Sequence, residues 1–200
     1  MLLNKDEFVQ CALEAGLIVN EDWLKHSDYV DSLLIDLGKF AVEHCEYLGK
    51  GMGRVAYRFR DWVIKINRDI VNIGSKYDDY EGCYESYNYL DSAKMWKAPE
   101  EVNEGSSEGM RQMIHEMAWY LEAPLCALDH VAQIYACSDN YAVQIAEYCD
   151  EVNEDELYDE YDDMIDDYAY LCNNFQDTHT GNLGRNRYGK LVMIDLGWEA

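Results

Sequence analysis

Two short stretches, one near each end of the chain, hold polar residues at spacings suited to phosphoryl transfer. Residues 48–55 read Leu-Gly-Lys-Gly-Met-Gly-Arg-Val, and residues 63–66 read Val-Ile-Lys-Ile. Residues 177–182 read Asp-Thr-His-Thr-Gly-Asn, and residues 192–197 read Val-Met-Ile-Asp-Leu-Gly. Backbone amides in a glycine turn can approach phosphate oxygens, and carboxylate and amide oxygens suit Mg²⁺. Together the two stretches indicate a site for a triphosphate and its metal ion.

The first stretch predicts the phosphate-binding part of this site. Gly49 and Gly51 lack a β-carbon, so a turn built on them lets backbone N–H groups face phosphate oxygens. Lys50 and Gly53 belong to the same turn, and Lys65 follows Gly51 by 14 residues in an apolar strand. An ordinary hairpin turn and an outward-facing, solvated lysine are the interpretations that need no ligand.

A lysine turned inward from an apolar strand needs a carboxylate partner, because an unpaired buried charge costs several kcal/mol. Glu116 is our choice for Lys65, since it lies in a periodic segment over residues 110–121 that predicts a helix. Glu81 and Glu85 are the alternatives, and they lie closer to Lys65 along the chain.

The second stretch is the more specific of the two. Asp177 and Asn182 are five residues apart, and Asp195 lies 18 beyond Asp177. An aspartate at the start of a loop can orient a hydroxyl group and accept its proton. An asparagine five residues later and an aspartate at the end of the next hairpin can both reach Mg²⁺. The alternative is a chance arrangement of polar residues in an acidic chain.

The charge of the chain limits its partners. Its 200 residues include 16 Lys and Arg against 40 Asp and Glu, a formal net charge of −24. Such a surface repels nucleic acid and anionic membranes. It could instead imitate DNA and bind a basic protein, so we keep an acidic inhibitor as the rival function.

The cysteines, histidines and hydropathy predict a cytoplasmic protein. None of the seven cysteines forms a C-x-x-C pair, which indicates free thiols in a reducing compartment. The five histidines have no zinc spacing, and no apolar run reaches membrane-spanning length.

Hydrophobic periodicity predicts both helices and strands. Residues 4–45 read as helices, residues 55–59 and 62–66 as a hairpin, and residues 76–97 as a tyrosine-rich helix before a polar loop over residues 98–109. The rest of the chain predicts a helix over 110–121, strands near 130–137 and 141–148, a helix opened by Asn153, and a final hairpin around Tyr188 and Gly189 that leads into the strand 191–194.

These motifs make the chain resemble protein-kinase-like phosphotransferases, and it is most similar to the early serine/threonine kinases of lytic bacteriophages. The loop at 177–182 also resembles the D-x-H-x-x-N loop of aminoglycoside and other small-molecule kinases. The resemblance implies an α+β, protein-kinase-like fold with an antiparallel N-lobe sheet and a truncated, mainly helical C-lobe. It implies three parts: a helical extension over 1–45, the N-lobe over 46–150 and the C-lobe over 151–200.

The resemblance also implies roles for individual residues. Asp177 would be the catalytic base, Asn182 and Asp195 the Mg²⁺ ligands, and Lys65 the lysine that holds the ATP phosphates. Residues from Glu147 to Cys149 would hold adenine through backbone hydrogen bonds. The site residues expected overall are Gly49, Lys50, Gly51, Gly53, Lys65, Glu116, Glu147, Cys149, Asp177, Asn182 and Asp195.

The chain departs from the family pattern at three places. Phe175 replaces the histidine of the H-x-D loop, and Leu196 replaces the phenylalanine of D-F-G. No activation segment or A-P-E motif follows before Ala200. The resemblance implies a minimal ATP- and Mg²⁺-dependent kinase, encoded by a phage, that phosphorylates host proteins or itself on Ser or Thr. A homodimer could complete the short lobe, and a small-molecule kinase is a third alternative.

Overall fold

The computed structural model describes residues 1–50, 54–67, 108–152, 171 and 178–196. The predicted tyrosine-rich helix, most of the polar loop and almost all of the helix after Asn153 lie outside these residues. The chain divides into two compact units. Unit 1 comprises Met1–Arg111 and Ile134–Ala146, and unit 2 comprises Gln112–Gln133 and Glu147–Ala200. The three-part division expected from the sequence stays a prediction.

The first helix, α1, spans Lys5–Glu14. The Asn4 side chain begins it by accepting a hydrogen bond from Glu7 N at 3.2 Å, which satisfies one of the amides left without a partner at a helix start. Gly16 follows the helix with φ of +81°, a left-handed conformation that glycine adopts without steric cost. The prediction of helices over residues 4–45 is confirmed for α1.

The second helix, α2, spans Ser27–His44 and buries one continuous stripe. Val30, Leu34, Leu37 and Ala41 recur at intervals of four and three residues, so they lie on one side of the helix. Leu33 and Ile35 are also buried, beside this stripe. The prediction of helices over residues 4–45 is therefore confirmed for α2 as well.

A five-stranded antiparallel sheet joins these helices in unit 1. Its strands lie in the order β1-β2-β3-β5-β4. Their bounds are β1 Glu46–Lys50, β2 Arg54–Phe59, β3 Trp62–Asn67, β4 Ile134–Cys137 and β5 Val143–Glu147. The predicted hairpin and the predicted strand pair are confirmed, the latter with narrower bounds, whereas β1 was not predicted as a strand.

One face of this sheet packs on the apolar core that includes α1 and α2. The core residues from β2 and β3 are Val55, Tyr57, Trp62, Ile64 and Ile66, and from β5 they are Val143 and Ile145. Because side chains alternate along a strand, the residues between them point to the opposite face. Lys65 is one of those residues.

Unit 2 contains the rest of the described elements. Helix α3 spans Glu108–Glu122, of which the part from Gln112 belongs to unit 2, and the short helix α4 spans Leu125–Leu128. The predicted helix over 110–121 is confirmed. A three-stranded sheet follows in the order β6-β7-β8, with bounds β6 Asp150–Glu151, β7 Leu183–Arg185 and β8 Leu191–Met193.

A small apolar core holds unit 2 together. Val131 bridges to Met193 in parallel, and His130 O accepts a hydrogen bond from Met193 N at 2.9 Å. The residues buried in this core are Val131, Val152, Leu171, Leu183, Leu191 and Met193. The described residues thus form an α+β fold, as the sequence predicted, and none of their helices has the length and hydropathy required to cross a bilayer.

Candidate active site

Lys65 lies on the sheet face turned away from the helical core of unit 1. It pairs with Ala56 across β2 and β3, between the fully buried Ile64 and Ile66. Lys65 itself is half-buried, so it is neither fully solvated nor enclosed in the apolar core. The structure thus places Lys65 on the face of the β2–β3 hairpin opposite the helical core, and its role in phosphate binding stays a prediction.

The predicted glycine turn lies only partly within the described residues. Gly49 and Lys50 end strand β1, where they pair with Ala56 and Val55 after an irregularity in register. A Cβ atom added at Gly49 would meet no atom within 4 Å, so this position is open. Gly51 and Gly53 lie outside the described residues, and their phosphate-binding role stays a prediction.

Asn182 and Asp195 are brought together by one backbone hydrogen bond in unit 2. Ile194 donates its N–H to Asn182 O at 2.8 Å, and Asp195 is the next residue along the chain. Asn182 is buried, with 8% of its surface exposed, while Asp195 is half-buried. The side chains of the two predicted metal ligands therefore branch from neighbouring backbone positions, although 12 residues separate them in sequence.

The donor set of this pair fits Mg²⁺. One carboxylate and one amide oxygen are hard ligands, and Mg²⁺ is usually held by one or two carboxylates with phosphate and water completing its coordination. Within the described ranges, no group of three His, Cys, Asp or Glu side chains could hold a metal ion. The described residues therefore contain no such cluster of ligands for a softer metal ion, and Asn182 with Asp195 is the candidate metal site.

Helix α3 contributes a side chain to Asp195. Gln112 Nε2 donates to Asp195 Oδ1 at 3.4 Å, a long hydrogen bond that links residues 83 apart in sequence. Glu116 lies one helical turn after Gln112 and is 2% exposed. Because Glu116 belongs to unit 2 and Lys65 to unit 1, their pairing stays a prediction. The alternatives Glu81 and Glu85 lie outside the described residues.

The loop before Asn182 is organised by His179. Thr180–Asn182 form a short 3-10 helix, and His179 Nδ1 accepts a hydrogen bond from Gly181 N at 3.1 Å. A Cβ atom at Gly181 would lie 2.9 Å from His179 Cε1, so the imidazole occupies space that only glycine leaves open. The described structure thus gives this histidine a local role in shaping the turn. Asp177 lies outside the described residues, and its role as the base stays a prediction.

Glu147 and Cys149 lie at the end of β5 and just beyond it. The Glu147 side chain is buried and faces Arg187, with Nε and Oε1 separated by 3.5 Å. Its backbone N–H is donated to Gln133 O at 2.8 Å. Cys149 is a buried free thiol. Adenine binding by the backbone of residues 147–149 stays a prediction, and the Glu147 N–H already has a protein acceptor.

Two kinds of residue near the predicted site were missed by sequence reasoning. Gln112 lies in the periodic segment over residues 110–121, and its contact with Asp195 has no signal in local sequence. Asn67 and Gln144 are fully buried amides in strands made mostly of apolar residues. A polar residue inside an apolar strand is the signal that could have singled them out.

Comparison with known proteins finds no sequence relative and a distant structural likeness. No protein-family profile matches the chain. No curated protein matches it either. The crystal structure of WbdD is similar at a TM-score of 0.41 and 11% identity, over 76% of this chain and 31% of that chain.

The co-crystal structure of WbdD with a kinase inhibitor gives a TM-score of 0.39 and 12% identity, over 76% of this chain and 32% of that chain. The chain thus spans about a third of the length of WbdD. A likeness at these TM-scores carries no argument about activity.

Proposed function

We propose that this protein transfers the terminal phosphoryl group of ATP to a hydroxyl acceptor in the presence of Mg²⁺. In this proposal Lys65 pairs with the phosphates that are not transferred, and Asn182 and Asp195 hold the metal ion. Asp177 orients the acceptor hydroxyl and takes its proton. These are the parts that phosphoryl transfer needs, because positioning and charge stabilisation supply most of its catalysis.

The hydrogen bond from Ile194 N to Asn182 O, at 2.8 Å, is the observation that supports the proposal most. Sequence spacing and the resemblance to kinases both indicate Asn182 and Asp195 as the amide and the carboxylate of one Mg²⁺ site. Polar residues scattered by chance through an acidic chain are not expected to lie side by side in the fold. Asn182 and Asp195 lie at neighbouring backbone positions within unit 2.

The neighbours of Asp195 suit a metal ligand. Bound Mg²⁺ would neutralise charge on the phosphate oxygens. The Gln112 amide donates to Asp195 Oδ1 and so limits the orientations of the carboxylate. The turn at Thr180–Asn182, held by His179, limits the position of Asn182 in the same way. A ligand pair that is oriented before the metal arrives loses less conformational entropy on binding.

The acceptor and the source of the protein come from the sequence resemblance. We propose a Ser or Thr hydroxyl, on a host protein or on the protein itself, and a phage-encoded enzyme that acts in the bacterial cytoplasm. The D-x-H-x-x-N loop also matches small-molecule kinases, so aminoglycosides and sugars belong in the panel of acceptors.

A transfer assay tests this function. Purified protein, ATP labelled in its γ-phosphate and Mg²⁺ are incubated with no added acceptor, with a casein-like protein, with bacterial lysate, and with aminoglycosides and sugars. Transfer to at least one acceptor is expected, and Asp177→Ala and Asp195→Asn should abolish it. Asp129→Asn, an exposed carboxylate of unit 2, is the matched control and should transfer normally. Absence of transfer to every acceptor would reject the function.

A second candidate function follows from the net charge of −24. In this alternative the protein is an acidic inhibitor that imitates DNA and covers the basic surface of a host protein. The inhibitor would bind its partner through contacts weakened by salt. Its effect on the host would survive Asp195→Ala, whereas the effect of a kinase would not.

A further inference from the structure

We infer that Ile18, Trp23 and Tyr29 form a docking surface for a basic segment of a protein acceptor. The inference rests on the proposed function and deepens it, because it makes the acceptor a protein rather than a small molecule. All three residues belong to unit 1, so the surface is described within that unit alone.

Two large apolar side chains of this surface are exposed to water. Ile18 is 90% exposed and Trp23 is 56% exposed. A single exposed apolar side chain is common on protein surfaces, whereas a group of them marks a site of interaction. Ile18 and Trp23 therefore indicate such a site only if they lie together in the fold.

Tyr29 brings the two residues together. Its ring lies edge-on to the Trp23 ring, with the centroids 5.8 Å apart. Its hydroxyl group donates to Ile18 O at 3.3 Å and accepts from Asn20 N at 2.7 Å. One side chain in the first turn of α2 thus contacts both ends of the segment from Ile18 to Trp23, and the three residues form one group.

The segment is also held in place before any partner binds. Asn20 Oδ1 accepts from Asp22 N at 3.2 Å and begins a short 3-10 helix over Glu21–Trp23. Leu24, the next residue, is buried in the core of unit 1. A side chain that is oriented in advance loses less conformational entropy on binding, and Trp and Tyr are enriched among the residues that dominate binding energy at interfaces. Trp23 therefore suits an anchor residue.

The charges around this surface favour a basic partner. The segment up to Tyr29 contains three exposed carboxylates and one exposed lysine, which are Glu21, Asp22, Asp28 and Lys25. Glu21 Oε2 lies 2.7 Å from Lys5 Nζ, whereas neither Asp22 nor Asp28 has an ion pair within the described residues. Complementary charge at an interface selects the partner and speeds its association. Lysines or arginines beside an apolar side chain would match this arrangement.

Other occupants would meet like charge. The net charge of the chain is −24, so a second copy of the chain, a nucleic acid or an anionic membrane would be repelled as it approached the exposed apolar group. The occupant that we assign is therefore a protein segment in which an apolar side chain lies between lysines or arginines.

Binding of two short synthetic peptides to the full chain tests the inference without requiring phosphoryl transfer. The first peptide has leucines between lysines, and the second has serines in place of the leucines and the same charge. Calorimetric titration at physiological salt should show about tenfold tighter binding of the leucine peptide to wild type, because burial of a leucine side chain stabilises a complex by about that factor. The general attraction of a cationic peptide to an acidic protein is equal for both peptides, so this ratio reports the apolar contact.

Two variants of the surface should reduce the ratio of the two affinities to nearly one, namely Ile18→Asn and Trp23→Ala. Ile18 is almost wholly exposed, so Ile18→Asn should leave the fold unchanged. Leu125→Asn is the matched control and should keep the wild-type ratio, because Leu125 is 83% exposed and belongs to unit 2. A ratio near one in wild type, an undiminished ratio in Ile18→Asn, or an equal fall in Leu125→Asn would overturn the inference.

The carboxylates give a second test of the partner's charge. Replacing both Asp22 and Asp28 by asparagine should weaken the binding of both peptides, because the attraction that they supply is lost. Asp36→Asn should not, since Asp36 is paired with Lys39 on α2. Unchanged binding in the double variant would overturn the assignment of a basic partner.

Hydrogen exchange on the unmodified protein covers the case in which Trp23→Ala does not fold. The leucine peptide should slow amide exchange over residues 18–24 more than the serine peptide does, and equal exchange with both peptides would overturn the inference.

The docking surface and the kinase activity fail differently. A ratio of about ten that depends on Ile18, in a protein that transfers phosphate to no acceptor, rejects the kinase and keeps the surface as a binding site for a basic protein. Transfer by wild type, with a ratio that Ile18→Asn leaves unchanged, rejects the surface and keeps the kinase. Transfer to an aminoglycoside or a sugar but to no protein would overturn the assignment of a protein acceptor.

Discussion

Gln112 orients the carboxylate that we assign to the metal ion. Its Nε2 donates to Asp195 Oδ1 at 3.4 Å from the face of α3. Side chains that orient metal ligands commonly affect metal affinity by about 10–100-fold when they are removed. We predict that Gln112→Met raises the Mg²⁺ concentration for half-maximal phosphoryl transfer by about tenfold. This is the lower end of the usual range, because the hydrogen bond from Gln112 to Asp195 is long.

The control for this change is Gln133→Met, which alters a glutamine whose side chain is exposed in the same unit. It should leave the Mg²⁺ dependence unchanged. A Gln112→Met enzyme that needs no more Mg²⁺ than wild type would separate Gln112 from the function of Asp195.

His179 and Gly181 should behave as one unit. Gly181→Ala would bring a Cβ atom within 2.9 Å of His179 Cε1, so the imidazole must rotate and give up its hydrogen bond from Gly181 N. We predict a loss of about 1 kcal/mol in the free energy of unfolding, the usual cost of a lost cap or hydrogen bond. In a His179→Ala background the same glycine substitution should cost clearly less, since no imidazole remains to be displaced.

Denaturant unfolding of wild type, both single variants and the double variant measures this coupling. Additive losses in the double variant would show that the two residues act independently.

Asp31 is a buried carboxylate in α2, and its charge opposes folding. Burial raises the pKa of Asp31, and the nearby Asp139 and Asp28 charges raise it further. The hydrogen bond from Asp139 N at 3.0 Å and the charge of the N-terminal ammonium group lower it, and the net direction is upward. Between the unfolded and folded pKa values the folded state binds more protons, so stability falls as pH rises through that window. Asp31→Asn keeps an oxygen that can accept from Asp139 N and removes the charge.

We therefore predict a higher Tm for Asp31→Asn than for wild type at about pH 7, with the difference shrinking as pH falls toward about 4, the ordinary pKa of aspartate. Thermal unfolding across this pH range measures the effect. Asp36→Asn, an exposed carboxylate on the same helix, should give no such gain. A lower Tm for Asp31→Asn at neutral pH would contradict the assignment of the charge as destabilising.

The junction of β6, β7 and β8 depends on a glycine. A Cβ atom at Gly184 would lie 2.7 Å from Cys149 Cβ and 2.9 Å from Ile194 Cγ2, so neighbouring elements approach this backbone closely. We predict that Gly184→Ala destabilises the protein by about 1–3 kcal/mol, the usual cost of inserting a methyl group into a packed site. Ile194 also donates to Asn182 O, so the metal-dependent activity should fall as well.

Gly49→Ala is the control for stability, because an added Cβ atom there meets no atom within 4 Å. Denaturant unfolding should be measured for both variants, and transfer activity for Gly184→Ala. If the Gly184→Ala protein is as stable as wild type, the elements around Gly184 can move apart without a loss in the free energy of unfolding.

Elements with strong local patterns were predictable from the sequence. Helix α2 was predictable because Val30, Leu34 and Leu37 repeat at helical spacing, and the β2–β3 hairpin because apolar runs flank Arg60 and Asp61. Strand β1 was not, since Glu46–Lys50 alternates exposed and half-buried residues and contains no apolar run. The two-residue strand β6 depends on pairing with β7, so its own residues hold no signal.

The same limit applies to the candidate site. The proximity of Asn182 and Asp195 was predictable, because a short hairpin that ends in an apolar strand connects the two residues. The contact of Gln112 with Asp195 was not, because it joins positions 83 residues apart that only tertiary packing brings together. The contact between Arg187 and Glu147, at 3.5 Å, could not be predicted for the same reason.

The chain as a whole is divided in a way that linear reading does not suggest. Residues from Gln112 to Gln133 belong with the C-terminal part of the chain, whereas Ile134–Ala146 return to the N-terminal part. Lys65 therefore lies in one unit, and Asn182 and Asp195 lie in the other. The proposed function requires one nucleotide to bind both sets of residues at once.

Mg²⁺-dependent thermal stabilisation by ATP measures that requirement directly in the full chain. Ligand at a hundred times its Kd should add about 2.7 kcal/mol to the free energy of unfolding, which raises Tm by several degrees. We predict this rise for wild type with ATP and Mg²⁺, a smaller rise without Mg²⁺, and a reduced rise in both Lys65→Met and Asp195→Asn. An unchanged Tm for wild type at saturating ATP and Mg²⁺, or an undiminished rise in both variants, would contradict the account.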